Sequence, residues 1–307
     1  MPGEALLNWY EAVRRPLPWR FTRDPWALLV SEVMLQQTQA ARVVPRYERF
    51  LARFPDAAAL AAAPVRDVLE EWSGLGYNRR ALALHAAARE VAAHGWPADL
   101  TTLPGVGGYT AAAVASFAWD AQRAAVDVNV RRVIERWDGR PRTARELSAR
   151  AEALLPAGRA APWNQAMMEL GARVCGPRRA DCAACPVSAW CASAGVGAGV
   201  VGPSATVSAV RSAGAASGRA TLSAVPSAGA AAGQATLSEV PSAGAAGRPA
   251  RPRFEDTDRW ARGRVVAALL ADAPLPALEP ARRTRVLAGL VRDGLVVTMA
   301  DGSVRLP

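Results

Sequence analysis

Leu103-Pro-Gly-Val-Gly-Gly-Tyr-Thr-Ala-Ala-Ala-Val114 is the stretch that decides the fold. Gly105 and Gly107 are expected to take backbone angles that a side chain would forbid. The apolar helix that follows can turn its first free N–H groups toward an anion. Such a turn between two helices suits a DNA phosphate, gripped without reading the base and so positioning the duplex. An ordinary glycine turn joining two helices is the plainer alternative.

Working outward from this turn, residues 1–191 read as helices joined by short loops, with no convincing period-two strand. Helices are expected over 4–14, 26–52, 64–72, 79–94, 107–118, 128–137, 143–155 and 163–174, with Pro45 breaking or kinking the second. The spacing predicts an all-α domain. Residues 192–250 are nearly all Ala, Gly, Ser, Val, Thr and Pro, and repeat as SAGAASGRATLSAVP from Ser212 and SAGAAAGQATLSEVP from Ser227. Too few large apolar groups are present to offset ordering entropy, so a disordered repeat linker is expected rather than a solenoid. Residues 251–307 regain a folded pattern, with helices near 258–270 and 280–293 and two short strands around Ala300-Asp301-Gly302. That outline predicts a small α+β, winged-helix-like C-terminal module.

Net charge is +10, and none of the 37 basic residues is lysine. A basic surplus favours a polyanionic partner without naming it. Residues 1–191 hold 24 Arg against 19 acids, so the surplus is shared with the downstream part. No run approaches eighteen apolar residues, and Met1 to Trp19 mixes charged with apolar groups. Neither a membrane span nor a secretory signal is expected, which points to the cytoplasm.

All four cysteines fall between Cys175 and Cys191, as Cys175-x6-Cys182-x2-Cys185-x5-Cys191. Clustered thiols in a reducing compartment point to a metal rather than a disulfide framework. Four thiolates suit zinc or an iron–sulfur cluster, but zinc sites usually pair two C-x2-C knuckles and this chain has one.

Two carboxylates stand out. Glu32 lies in Trp26-Ala-Leu-Leu-Val-Ser-Glu-Val-Met-Leu35, a helix apolar around most of its circumference. Buried there, its pKa would rise, as a general acid near neutral pH requires; a solvent-facing Glu32 is the alternative. Asp127 opens Asp127-Val-Asn-Val-Arg-Arg-Val133, where a helix starts and an aspartate makes a good N-cap. A catalytic role and a capping role can hold together.

Taken in order, LPWR (17–20), SEVMLQQT (31–38), GLGY (74–77), LPGVGGYTA (103–111), DVNV (127–130), NQAMMELG (164–171) and the cysteine loop resemble the MutY-type A/G-specific adenine DNA glycosylases of the endonuclease III superfamily. The resemblance covers about residues 1–191. It implies a two-lobed helix–hairpin–helix glycosylase fold with a [4Fe–4S] loop held by Cys175, Cys182, Cys185 and Cys191. It also implies a duplex partner containing mispaired adenine, a monomer, and a nucleoid-associated bacterial protein.

By the same resemblance, Glu32 protonates the adenine ring and Asp127 stabilises the oxocarbenium-like sugar, with Asn129 and Tyr109 in support. Arg15, Leu17, Trp19 and Gln165 resemble residues lining the pocket for the flipped base. Gln37, Thr38, Leu75 and Tyr77 resemble those that wedge into the duplex and touch the opposite, oxidised guanine. Arg178 and Arg179 are placed to meet phosphate. Bifunctional members cut the strand through a lysine one residue before the hairpin threonine; Tyr109 stands there, and a chain without lysine predicts a monofunctional hydrolase.

Tyrosine at that position is also found in thymine mismatch glycosylases, which lack the SEVMLQQ glutamate, so Glu32 separates adenine from thymine or uracil excision. A non-catalytic iron–sulfur DNA-binding protein would not need both carboxylates. Val128 replaces the commoner glycine of the D-x-N motif, and residues 251–307 are too short for the NUDIX-like domain of many members. The terminal module is therefore expected to add DNA affinity from the end of its tether.

Overall fold

The computed structural model describes residues 1–194 and 253–307, all within one compact unit. The expected repeat linker lies almost wholly outside the described residues.

Ten α-helices occupy the first part: α1 (Pro2–Val13), α2 (Pro25–Leu35), α3 (Ala40–Arg53), α4 (Ala57–Ala62), α5 (Val65–Trp72), α6 (Arg79–His94), α7 (Gly108–Trp119), α8 (Val128–Trp137), α9 (Ala144–Ala153) and α10 (Ala160–Arg173). Starts follow side-chain chemistry. Asp24 accepts from the Trp26 and Ala27 amides with Pro25 in the first turn of α2, Asp56 caps α4, and Thr143 with Glu146 closes a capping box on α9.

The expected 26–52 helix is two helices, and the break falls at 36–39 rather than at Pro45, which sits inside α3. Gln37 takes a left-handed φ of 57°. The carbonyls that α2 leaves open are met by the Arg80 guanidinium, so the helix can stop there.

Two hydrophobic cores result. The first packs residues of α2–α7 around Trp72, Phe50, Leu28 and Met34. The second packs α1 with α8–α10 around Leu6, Tyr10, Ile134 and Trp163. This is the two-lobed arrangement expected. The hairpin 103–107 lies in the first lobe, after a 3-10 turn at Leu100–Thr102. Gly105 has φ +76°, and a Cβ there would stand 2.6 Å from Ala83 Cβ, so glycine is required twice over. Gly107 is different. Its φ of −87° suits any residue and the space beside it is open, contrary to the expectation from sequence.

The C-terminal segment holds α11 (Asp258–Leu270), α12 (Pro280–Arg292) and an antiparallel hairpin, β1 (Val297–Thr298) with β2 (Val304–Arg305), in register Val297 to Arg305. Its fold outline is as expected, but it is not a separate body. Ala261, Val265, Val266, Val286, Leu290, Leu295 and Val296 are buried in the first lobe's core, and Arg66 of α5 binds Asp272 at 2.7 Å and the Leu270 carbonyl at 2.5 Å. Burying apolar faces together removes the tether's freedom to act alone. No helix among the described residues is long and apolar enough to cross a membrane.

Candidate active site

A cavity of about 620 Å3 draws its walls from both lobes. Glu32 comes from α2 and Tyr109 from the first turn of α7; Asp127 and Asn129 come from the start of α8 and Gln165 from α10. Arg15, Leu17, Trp19 and Gln37 complete the set of expected residues that line it.

Glu32 is 5% exposed and has no hydrogen bond to a backbone donor. Burial raises its pKa, the nearby Tyr109 phenol pulls it back, and the Asp127 carboxylate pushes it up again, so that it stands at about 7. The Tyr109 phenol is itself raised well above its ordinary value, first by burial and then by the two carboxylates. It stays a neutral hydroxyl, with Met168 Sδ at 3.7 Å.

Asp127 is held very differently. Its Oδ1 accepts from the Asn129 and Val130 amides at 2.9 and 2.7 Å, and its Oδ2 accepts from Asn129 Nδ2 at 2.7 Å. Both the cap and the cavity position are therefore real. Asn129 is oriented in turn by Arg132, which donates to its Oδ1 at 2.9 Å, to the Gly171 carbonyl at 2.6 Å and to the Cys175 carbonyl at 2.8 Å. Gly171 leaves room for this contact, since a Cβ there would lie 2.6 Å from Asn129 Cβ.

Behind the cavity, fully buried Glu169 binds Arg15 through two bonds at 2.8 Å and Arg20 at 2.5 Å. Burial pushes Glu169 up, but the two guanidinium groups outweigh it and hold the carboxyl below its usual value. The Tyr10 hydroxyl donates to Gln165 Oε1 at 2.6 Å, which turns the amide nitrogen of Gln165 to other partners.

Residues 30–157 match the HhH-GPD superfamily base excision DNA repair protein family. Over 325 residues the chain is 37% identical to an adenine DNA glycosylase of Mycolicibacterium smegmatis, spanning 98% of this chain and 94% of that protein. The chain belongs to the adenine DNA glycosylase family. A mouse member is 42% identical over 208 residues, covering 61% of this chain and 40% of its own. Among solved structures, a thermostable thymine-DNA glycosylase superposes with a TM-score of 0.58 at 32% identity, covering 62% of this chain and 93% of that one. A trapped endonuclease III–DNA covalent intermediate superposes at 0.55 with 22% identity over 62% of this chain and 92% of that one, a likeness of fold alone.

The remaining family-motif residues lie outside the cavity walls. Thr38 Oγ1 accepts from Arg80 at 3.2 Å, and Tyr77 stands at the surface. Leu75 is 4% exposed, packed into the first core. Arg178 and Arg179 are exposed on the cysteine loop, and Gly105 and Gly107 lie in the hairpin just before Tyr109, outside the cavity lining.

All four cysteines are free, half-buried thiols. Burial raises Cys185 and Cys191, backbone hydrogen bonds from Val187 and Ser193 draw them partly back, and the charges of other cysteines of the loop raise them further. Arg136 donates to Cys175 Sγ at 3.3 Å. Among the described residues no three such ligands converge on a single metal ion.

Sequence reading missed Arg80, Glu169, Arg20 and Arg132. Arg80 donates to the carbonyls of Val33, Met34, Gln36, Leu75 and Gly76, joining the end of the Glu32 helix to the loop before Tyr77. Burial pulls its guanidinium down to about 10. One signal was available: Glu169 sits four residues after Gln165 on the same helix, where a lone acid in AMMELG needs a cation.

Proposed function

We propose that this protein hydrolyses the N-glycosidic bond of adenine mispaired with 8-oxoguanine or guanine in duplex DNA, acting as a monomer. The observation that carries the reading is the pairing of Glu32 with Asp127 across one cavity, one acid buried with only the Tyr109 phenol beside it and the other satisfied by three donors.

A base within a duplex is out of reach, so the nucleotide must be extruded, at a cost of a few kcal/mol. Adenine leaves poorly as an anion. Glu32, with a pKa of about 7, is protonated in roughly half of the molecules at neutral pH, and that proton goes to the adenine ring. The C1′–N9 bond then breaks with its electron pair going to the base. Asp127, fixed by the α8 amides and Asn129, faces the positive charge at C1′, where water adds and loses a proton. Gln165, Arg15, Leu17 and Trp19 are assigned to the base pocket. Gln37, Thr38 and Tyr77 are assigned to the opposite strand, and Arg178 and Arg179 to phosphate.

The chain has no lysine, so no lysine Schiff base forms and the strand stays intact after base release. Cys175, Cys182, Cys185 and Cys191 would hold a [4Fe–4S] cluster, which supplies a structural clamp for the loop carrying Arg178 and Arg179.

Single-turnover assays on duplexes with A opposite 8-oxoguanine, A opposite guanine and T opposite guanine test the reading. Adenine should be released, with strand breaks only after alkali, and Glu32→Gln should abolish release. The likeness to a thymine-DNA glycosylase and the presence of Tyr109 favour a second reading, thymine excision; release of thymine from the third duplex would establish it. Absorbance near 400 nm in the purified protein separates iron–sulfur from zinc.

A further inference from the structure

Tyr77 combines three features that a surface residue seldom shows together. Its φ is +50°, a left-handed angle that a tyrosine adopts only when its surroundings hold it there. Its ring is 41% exposed. And it lies between two guanidinium groups, Arg80 with its central carbon 5.5 Å from the ring centroid and Arg259 at 4.0 Å.

The two cations come from different parts of the chain. Arg80 is fixed by its carbonyl acceptors and also lies 5.3 Å from the Trp72 centroid. Arg259 arrives from α11 in the C-terminal segment and is 5.8 Å from the exposed ring of Phe254. A ladder of alternating rings and cations thus runs Trp72, Arg80, Tyr77, Arg259, Phe254. Its inner end also grips Gln36, whose neighbour Gln37 lines the cavity. Arg42 and Arg46 bind the Gly74 and Ser73 carbonyls at 2.6 and 2.9 Å, which makes the same edge basic.

We propose that Arg259 is a positioning residue for DNA binding: stacked on Tyr77, it fixes the pose in which that ring meets the duplex, so the C-terminal segment completes the DNA-binding face. A guanidinium over a tyrosine ring restrains it without itself touching a base. This rests on the reading of the chain as an enzyme of duplex DNA, and it replaces the picture of a terminal module adding affinity from a tether.

The test is equilibrium binding by fluorescence anisotropy to a duplex with adenine opposite 8-oxoguanine, using the full-length chain and variants in a double-mutant cycle. Arg259→Ala should weaken binding about tenfold, and Arg259→Lys, which keeps a cation over the ring, about threefold or less. In a Tyr77→Leu background, Arg259→Ala should cost less than twofold more, because the contact it serves is already gone. The thermal midpoint of Arg259→Ala should stay within a few degrees of the parent. Should Tyr77→Leu not fold, the salt titration decides: acting through Tyr77, Arg259→Ala leaves the slope of log Kd against log salt unchanged.

Independent, multiplying losses in the cycle would overturn the proposal. So would a slope reduced by about one, which would make Arg259 a direct phosphate contact. Binding needs no base release, so a parent that couples Arg259 to Tyr77 yet frees no adenine sinks the proposed function and leaves this inference standing.

Discussion

In the first lobe a carboxylate is enclosed by apolar groups with only the Tyr109 phenol beside it: Glu32 sits on an apolar helix and is pushed to about 7. In the second lobe a carboxylate is surrounded by donors: Asp127 takes two backbone amides and a side-chain amide while capping α8. In the proposed mechanism the same functional group gives a proton from one wall and faces the sugar from the other. Environment, not residue type, divides the labour.

The strongest way to break this comparison is to neutralise each acid in turn. Glu32→Gln should lower the single-turnover rate of adenine release by at least about a thousandfold, within the range of a lost general acid. Asp127→Asn should also lower that rate severely while costing about 1–3 kcal/mol of urea stability, because asparagine keeps the cap but sets its amide nitrogen against that of Asn129. An Asp127→Asn protein that releases adenine at the parental rate would reduce Asp127 to its cap.

Next in size is the buried ion pair behind the cavity. Glu169→Gln leaves Arg15 and Arg20 without their shared counter-charge, and Arg20 is only 7% exposed. Urea unfolding should show a loss of about 3–5 kcal/mol. A loss under 1 kcal/mol would mean that the two arginines find solvent.

The pH dependence follows from Glu32. Its folded pKa of about 7 lies above the ordinary 4.5, so between those values the folded protein binds more protons than the unfolded chain. Stability therefore falls as pH rises through that window, by about 3 kcal/mol in all, and is flat above it. Glu32→Gln should remove this slope, making the variant more stable than the parent at pH 8 but not at pH 4.5. The parental rate of base release should decline above about pH 7. A rate that climbs through pH 8 would contradict an acid at this position.

The smallest effect concerns the hairpin. Gly105→Ala should cost about 1–3 kcal/mol, from the left-handed angle and the contact with Ala83. Gly107→Ser should stay within about 0.5 kcal/mol, since its angle is ordinary and the α7 N-cap has no side-chain partner to lose.

Much of the fold could be read from local chemistry. Caps at Asp24, Asp127 and Thr143 and the glycine turn at 105 act within four residues, so their signals survive in one dimension. The split of the 26–52 helix could not be read, because its cause is Arg80, more than forty residues away. Burial of Leu75 and docking of 253–307 were hidden for the same reason: both depend on which apolar face meets which. At the site, the motifs placed Glu32, Asp127, Asn129, Tyr109, Arg15, Leu17, Trp19, Gln37 and Gln165 around one cavity. Arg20 and Glu169 stand inside LPWR and NQAMMELG without a role assigned there, and Arg80 and Arg132 lie outside every quoted motif.

That the first lobe's core includes residues from both ends of the sequence bears on how the protein is made. Ribosomes release α5 and α6 long before α11 and α12 emerge, so apolar surface meant for Val265, Val286 and Leu290 waits uncovered during synthesis. A premature stop between residues 195 and 252 would leave every cavity-lining residue in place and yet yield a sticky, chaperone-dependent product.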